Sequence, residues 1–349
     1  MKEYLGVCCG RVRMGRVASV EHPSGVELVL HTGWRLCDAT SAVLCESWRY
    51  YPIRCDFGPP DLIALRRFVR AVEDHVRAAG AKPLLYYCVY GHPRSISNAV
   101  FLLGGYMVLA LGATPDQAMR RFEHLQLADY VDVSGSEDFA LRVRDCLDGL
   151  FRAKRWAARP CGRIDVDRYA LYGDVLHGDL HEVVPGRIVA LRSRPDEPFD
   201  RFLAAKHYAR IFRCGSVRAV VQLNEADYDP GAFESAGVRP LRLECEDPWP
   251  SEAAIAGFFR IVDASSKVAV HSRGGADHAG TLIALYLMRR HRFTARQALG
   301  WLRIVRPGSV VGRHQALLCA AERLPPKAER ALWCVLALCV AAACIKFAV

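Results

Sequence analysis

One local plan occurs twice in this chain, far apart, and it restricts the available folds more than any other feature. Leu84 to Val89 is a short apolar run with strand character, followed by the polar loop Gly91-His92-Pro93-Arg94-Ser95. An apolar stretch of helical length then runs from about Asn98 to Leu111. Thr114-Pro115-Asp116-Gln117 opens the next helix, with threonine as cap, proline at the first helical position and glutamine three residues past the cap. The second copy begins with the strand Val268-Ala269-Val270 and continues through a loop from Ser272 to Gly280. A helix over Thr281 to Arg290 follows, and then the same Thr-x-x-Gln pattern in Thr294-Ala295-Arg296-Gln297. The distance from strand end to capping box is nearly equal in the two copies. Strand, loop and helix in this order read as β/α units, and their repetition at this spacing is a duplication at domain scale. A chain of 349 residues also exceeds the size at which one core stops growing, about 250–300 residues. With 52% hydrophobic and 24% charged residues it has the apolar content to fill two cores. The expected division is an N-terminal half over residues 1–160, a connecting segment over 161–173 and a C-terminal half over 174–326.

The last stretch differs from everything before it. Pro325-Pro326 separates it from the preceding helix, and Ala331 through Ile345 holds no charged side chain. Lys327 and Arg330 precede it, and Lys346 and Phe347-Ala348-Val349 close it. A spanning helix needs about 17–25 apolar residues. Lys346 can reach the far interface along its own methylenes, which makes the whole of residues 331–349 usable. A helix docked on a domain normally keeps one polar face, and this one is apolar all round. The expectation is a C-terminal transmembrane tail anchor at 331–349, with the remainder on the cytosolic face of an intracellular membrane.

Lys and Arg number 47 against 37 Asp and Glu, a net charge of +10. Such a balance suits phosphate-bearing partners or an anionic membrane surface; no nucleic-acid partner is expected. The 14 cysteines form no CxxC pair and no Cys/His cluster at zinc spacing, so neither a metal nor another cofactor is expected. Cys8-Cys9 is the one close set before the C-terminus. Met1-Lys2-Glu3-Tyr4 leads into no apolar run, so a reducing compartment is the expectation.

The residues that carry chemistry lie in His271-Ser272-Arg273-Gly274-Gly275-Ala276-Asp277-His278-Ala279-Gly280-Thr281. A strand entering a glycine-bearing loop that enters a helix aims successive backbone N–H groups into one concavity. That is a phosphate cradle, although an ordinary tight β–α turn has the same outline. Candidate phosphate-binding positions are Arg273, Gly274, Gly275, Ala276, Asp277, Ala279 and Gly280, with Arg273 holding a positive charge at the mouth. The stretch resembles the signature H-C-x-x-G-x-x-R-x-G-[ST] of cysteine-dependent protein phosphatases. The downstream run Ala295 to Gln315, with Trp301, Arg303, Arg306-Pro307-Gly308-Ser309-Val310 and Gly312, is similar to the cell-division-cycle 14 family of dual-specificity phosphatases. Asp56-Phe57-Gly58-Pro59, Gly178-Asp179 with Val184-Pro185-Gly186, and Val220-Val221-Gln222-Leu223-Asn224 with Tyr228 and Phe233 extend the similarity over roughly Tyr50 to Leu324. The resemblance implies an α/β fold of two tandem cysteine-phosphatase-like domains. It implies a catalytic loop only in the second, here followed by the hydrophobic C-terminal helix.

The departures from the family pattern matter more than the match. The resemblance places the nucleophilic cysteine at Ser272 and the phosphate-binding arginine at His278. A thiol at a helix N-terminus has its pKa lowered to about 3.5–7.5, whereas a serine hydroxyl there stays protonated and needs an adjacent base. An arginine grips two phosphate oxygens with a planar fork. A histidine offers one donor in that direction and is charged only when protonated. The family's general acid falls at Glu246, or alternatively Asp247, in Glu244-Cys245-Glu246-Asp247-Pro248-Trp249-Pro250-Ser251. His271 is implied as a supporting partner of the loop, and Gln315 falls where the family has a glutamine-rich helix start. Three readings stay open. The favoured one is a membrane-tethered pseudophosphatase that binds a phosphorylated protein or peptide without hydrolysis. The others are an active phosphatase with a non-standard nucleophile, such as Ser272 with His278 and Asp277, and a scaffold that binds no phosphate. Oligomeric state is not legible.

Overall fold

The computed structural model describes residues 5–8, 11–14, 17–21, 27–32, 58–79, 84–88, 93–131, 139–158, 166–174, 177–191, 205–223, 230–245, 249–272 and 278–323. The expected tail at 331–349, the cradle residues Arg273 to Asp277, and Glu246 and Asp247 lie outside the described residues. Two compact units divide the chain. One comprises Met1–Val166 with Leu299–Gly308, and the other Asp167–Ala298 with Ser309–Val349. Part of the expected connecting segment at 161–173 is the helix Val166–Gly173. The expected continuous C-terminal half contributes Leu299–Gly308 to the first unit.

The first unit opens with an antiparallel hairpin, β1 (Leu5–Cys8) and β2 (Arg11–Met14). β3 (Val17–Glu21) then pairs antiparallel with β4 (Glu27–Thr32), which pairs parallel with β5 (Leu84–Cys88). Among the described residues it also holds the α-helices α1 (Leu62–Ala79), α2 (Pro93–Leu109), α3 (Pro115–Arg120) and α4 (Val143–Lys154), and Leu299–Val305 of a later helix. Asp61 caps α1, its Oδ1 accepting from the Ala64 amide at 2.7 Å. The capping box read from the sequence is present at α3: the Thr114 amide donates to Gln117 Oε1 at 2.8 Å, and the Gln117 amide donates back to Thr114 Oγ1 at 3.3 Å. α2 starts earlier than expected, at Pro93, because proline at the first helical position costs no hydrogen bond. Its Gly104-Gly105 pair lets neighbours close in. A Cβ on Gly104 would meet Leu147 Cδ1 at 2.7 Å, and one on Gly105 would meet Leu65 Cδ1 at 2.5 Å. Leu65, Phe68, Phe101, Leu102, Tyr106 and Leu147 are buried. Trp156 and Trp301 meet edge to face with ring centroids 5.8 Å apart.

The second unit begins with α5 (Val166–Gly173) and is built on a five-stranded sheet. Its strands are β6 (Leu180–Val184), β7 (Ile188–Leu191), β8 (Ala219–Leu223), β9 (Arg239–Leu243) and β10 (Val268–Ser272). Their order is β6-β7-β10-β8-β9, with β6 antiparallel to β7 and the other pairs parallel. The sequence copy at Val268 is therefore the central strand. Its uninterrupted apolar run follows from that position, since a parallel strand covered on both faces has no polar side. The helices are α6 (Ala205–Cys214), α7 (Gly231–Glu234), α8 (Glu252–Ala264), α9 (His278–His291) and α11 (Arg313–Glu322), with α10 (Ala295–Val305) running between the last two. The second capping box is also present: the Thr294 amide donates to Gln297 Oε1 at 3.0 Å, and the Gln297 amide to Thr294 Oγ1 at 3.1 Å. α9 starts at His278, three residues before the expected Thr281, and its first ten residues are all buried. Leu180, Val189, Phe212, Val220, Phe233 and Ala269 belong to the core. Among the described residues no helix is long and apolar enough to cross a membrane.

Candidate functional site

β10 ends at Ser272 and α9 begins at His278, so residues 273–277 join the carboxyl end of a central parallel strand to a helix N-terminus. In open α/β sheets ligands bind at this end, where the strand order reverses. Here β10 separates β7 from β8, which follows β7 in sequence. α9 is 14 residues long, and the N-terminus of such a helix carries roughly half a positive charge that favours an anion. Both residues that the resemblance marks as departures sit at this junction, Ser272 half-buried and His278 buried. Ala279 and Gly280 follow on the first turn of α9, both buried.

His271 lies one residue before Ser272 on β10, opposite Gln222 of β8. Burial pushes its pKa down to about 4, so its ring is neutral at physiological pH. Successive strand side chains point to opposite faces of a sheet. His271 is therefore set away from the Ser272 hydroxyl and does not act as its base.

A cluster that the sequence did not reveal assembles around His314. This residue is in the first turn of α11 and is buried. Its Nδ1 lies 2.9 Å from Thr281 Oγ1, on the first turn of α9. Its ring meets that of His278 edge to face, with centroids 5.6 Å apart and planes at 76°. On another side stands Trp249, with centroids 6.1 Å apart and planes at 37°. Trp249 follows the acid-candidate residues Glu246 by three positions and Asp247 by two. The approach to α11 is unusual: Val310 has φ of 55° and is fully buried, and Gly312 has φ of 59°. A β-branched residue in the left-handed region is strained, and such strain collects at functional loops. Gln315, the glutamine singled out in the sequence, donates from Nε2 to the Gly312 carbonyl at 3.3 Å. It is buried and tied to the turn that starts its own helix. Trp249, Thr281 and His314 are linked across 32 or more residues of chain, so no local pattern could have united them.

Two buried cysteines are held as thiols. Burial pushes the Cys245 thiol up to about 11 and that of Cys146 well above its ordinary value, so both stay protonated. Among the described residues no group of three or more His, Cys, Asp or Glu side chains is placed to hold a metal ion.

Two family models match the chain in tandem. Residues 39–153 match the N-terminal half of dual specificity protein phosphatases, and residues 182–318 match the DSP-PTPase phosphatase domain of the Swiss Army Knife protein family. The dual specificity protein phosphatase CDC14AB of Danio rerio is 32% identical over 286 residues, covering 78% of this chain and 46% of that protein. The dual specificity protein phosphatase CDC14A of Homo sapiens is 31% identical over 285 residues, covering 78% and 48%. The tyrosine-protein phosphatase cdc-14 of Caenorhabditis elegans is 29% identical over 295 residues, covering 80% and 42%. The chain thus spans about half the length of these relatives.

Proposed function

The chain belongs to the cell-division-cycle 14 family of dual-specificity phosphatases, and from that premise we propose that it is a membrane-tethered pseudophosphatase, binding phosphoproteins without hydrolysing them. The observation that carries this reading is the pair Ser272 and His278 at the two ends of the cradle loop. The resemblance assigns these positions to a nucleophilic cysteine and a phosphate-gripping arginine. A serine alcohol needs a general base to attack phosphorus, and the nearest histidine in sequence, His271, is held neutral on the far side of the strand. A histidine in place of arginine removes the two-pronged fork that stabilises the transition-state charge. The two changes disable two separate catalytic functions. A loop that binds through backbone N–H groups needs no side chain to do so, so on this reading affinity for a phosphoryl group is retained. Glu246 or Asp247 would act as general acid in an active relative; here either has no bond to help cleave.

The test compares the native protein with Ser272→Cys/His278→Arg, measuring phosphopeptide affinity and aryl phosphate hydrolysis in each. The native protein is expected to bind phosphopeptide with a salt-sensitive affinity and to release no phosphate above background, while the double variant gains turnover. Hydrolysis by the native protein that Ser272→Ala abolishes would overturn the reading in favour of an active enzyme. Absence of phosphopeptide binding in both proteins would leave only the scaffold.

A further inference from the structure

We propose that the amino end of the five-stranded sheet, the end opposite the cradle, is a cationic face that lies against the anionic phospholipid of a bilayer. The inference rests on the membrane-tether reading and deepens it, because it gives the tethered protein an orientation.

A row of basic residues marks this end of the second unit. Arg187 precedes β7, Lys267 precedes β10, Arg218 precedes β8 and Arg239 opens β9. Backbone hydrogen bonds join them in sheet order. The Val268 amide donates to the Arg187 carbonyl at 2.8 Å, the Arg218 amide to the Lys267 carbonyl at 2.9 Å, and the Arg239 amide to the Arg218 carbonyl at 3.0 Å. Neighbouring strands lie about 4.8 Å apart, so the four cations share about 15 Å of rim. Arg213 adds a fifth charge, because α6 ends at Cys214 and a short turn leads straight into β8. That turn is closed by the Val217 amide donating to the Phe212 carbonyl at 2.9 Å. Arg290, in the last turn of α9, comes to the same end by donating to Asp263 near the end of α8 at 2.7 Å.

Cations at helix C-termini commonly serve the fold alone, by holding the last carbonyls and nearby carboxylates. Three of these residues do so. Arg187 Nη1 donates to the carbonyl of Ser265, the cap of α8, at 2.9 Å. Lys267 pairs with Glu182 at 2.8 Å, and Arg290 with Asp263. Arg213, Arg218 and Arg239 are exposed and stand outside these pairs. Exposed Glu234, just before the turn into β9, and Asp167, beside Arg168 at the start of α5, offset part of the charge and leave the face positive.

The course of the chain selects the anionic partner. α11 begins at the cradle end, where His314 meets His278. It ends at Glu322, whose Oε2 accepts from the Ala295 amide at 2.9 Å. Ala295 follows closely on the end of α9, so the last described helix finishes at the cationic end. The apolar stretch from Ala331 begins a few positions further on. A tail inserted there brings the basic rim, not the cradle, against the lipid headgroups. Each basic residue near an anionic membrane surface adds about fivefold in affinity, so three exposed arginines add about a hundredfold. That is too little to hold the protein on a membrane at physiological ionic strength without the tail. It is enough to orient it, with the cradle turned to the aqueous side.

The test mixes the full chain, at low ionic strength, with vesicles of phosphatidylcholine alone or of an equal mixture of phosphatidylcholine and phosphatidylserine. Phenylglyoxal modification is then read arginine by arginine. The tail should carry the chain onto both vesicles. On the mixture, Arg213, Arg218 and Arg239 are expected to react about tenfold more slowly than on phosphatidylcholine, and added salt should restore their rates. Arg242 and Arg313, exposed at the cradle end, should react alike on both. This readout needs no substitution, so it does not depend on whether a variant folds. Capture by the mixed vesicles should also be about tenfold faster than by phosphatidylcholine. Arg213→Gln/Arg218→Gln/Arg239→Gln should lose that advantage. Lys206→Gln/Arg242→Gln/Arg313→Gln, which removes equal charge at the other end, should keep it. Unchanged rates for the three rim arginines, or equal protection of Arg242 and Arg313, overturns the cationic face and leaves the tether standing. Capture and rim protection on the mixture, with no capture by phosphatidylcholine, overturns the tether alone. Capture by neither overturns both. Protection of the rim by polyuridylate at a lower phosphate concentration than by the mixed vesicles makes this a nucleic-acid face and also overturns the proposal.

Discussion

Ser272 and His271 are neighbours in sequence, yet the strand separates what they can do. A buried imidazole held neutral is a linkage effect as well as a chemical one. The folded pKa of His271, about 4, lies below the unfolded value of about 6.5. The unfolded chain therefore binds the extra proton first. The stability linked to this residue is fully present above about pH 6.5 and is lost as pH falls toward about 4, by roughly 3 kcal/mol at most. Denaturant unfolding of the native protein and His271→Gln at about pH 7 and about pH 4.5 checks this. The native protein is expected to lose more stability between the two, and equal losses would show that His271 contributes nothing to acid sensitivity. At this scale the sequence revealed only residues with a local signature. Ser272 and His278 stood out because they interrupt a known spacing. His314 carried no signature, because its partners Thr281, His278 and Trp249 reach it through folding alone.

The elements were legible where their causes are local. Both Thr-x-x-Gln boxes form as read, since a cap and its reciprocal bond involve only four consecutive residues. Helix starts were less legible. His278 to Gly280 read as loop, but folding adds them to α9, where the sheet buries them. Glycines inside helices show the same dependence on distant neighbours. A Cβ at Gly300 would run into the backbone carbonyl of Asp145, which has nowhere to go. One at Gly105 would press on the end of the Leu65 side chain, which can turn aside. Gly300→Ala is therefore expected to destabilise by about 1–3 kcal/mol, net of the near 1 kcal/mol that alanine returns as a better helix former. Gly105→Ala should cost distinctly less. Denaturant midpoints of the two variants decide this, and a Gly300→Ala protein as stable as the native would refute the packing argument.

For the whole molecule, the prediction concerns residues 331–349. If this stretch tethers the protein, expressing residues 1–330 should move it from the membrane pellet to the supernatant on fractionation. Continued sedimentation of the shortened chain with membranes would end the anchor proposal. The duplicated strand–loop–helix plan, the capping boxes and the interrupted signature established by themselves a two-part α/β chain of phosphatase descent, because each is written in runs of a few residues. The tertiary structure alone decided that Val268 to Ser272 is the centre of a five-stranded sheet, that Leu299–Gly308 joins the first unit, and that His314 stands beside His278. The reason is the same in each case: strand order, unit membership and side-chain contact join residues that the chain keeps tens of positions apart, and only the burial of apolar surface brings them together.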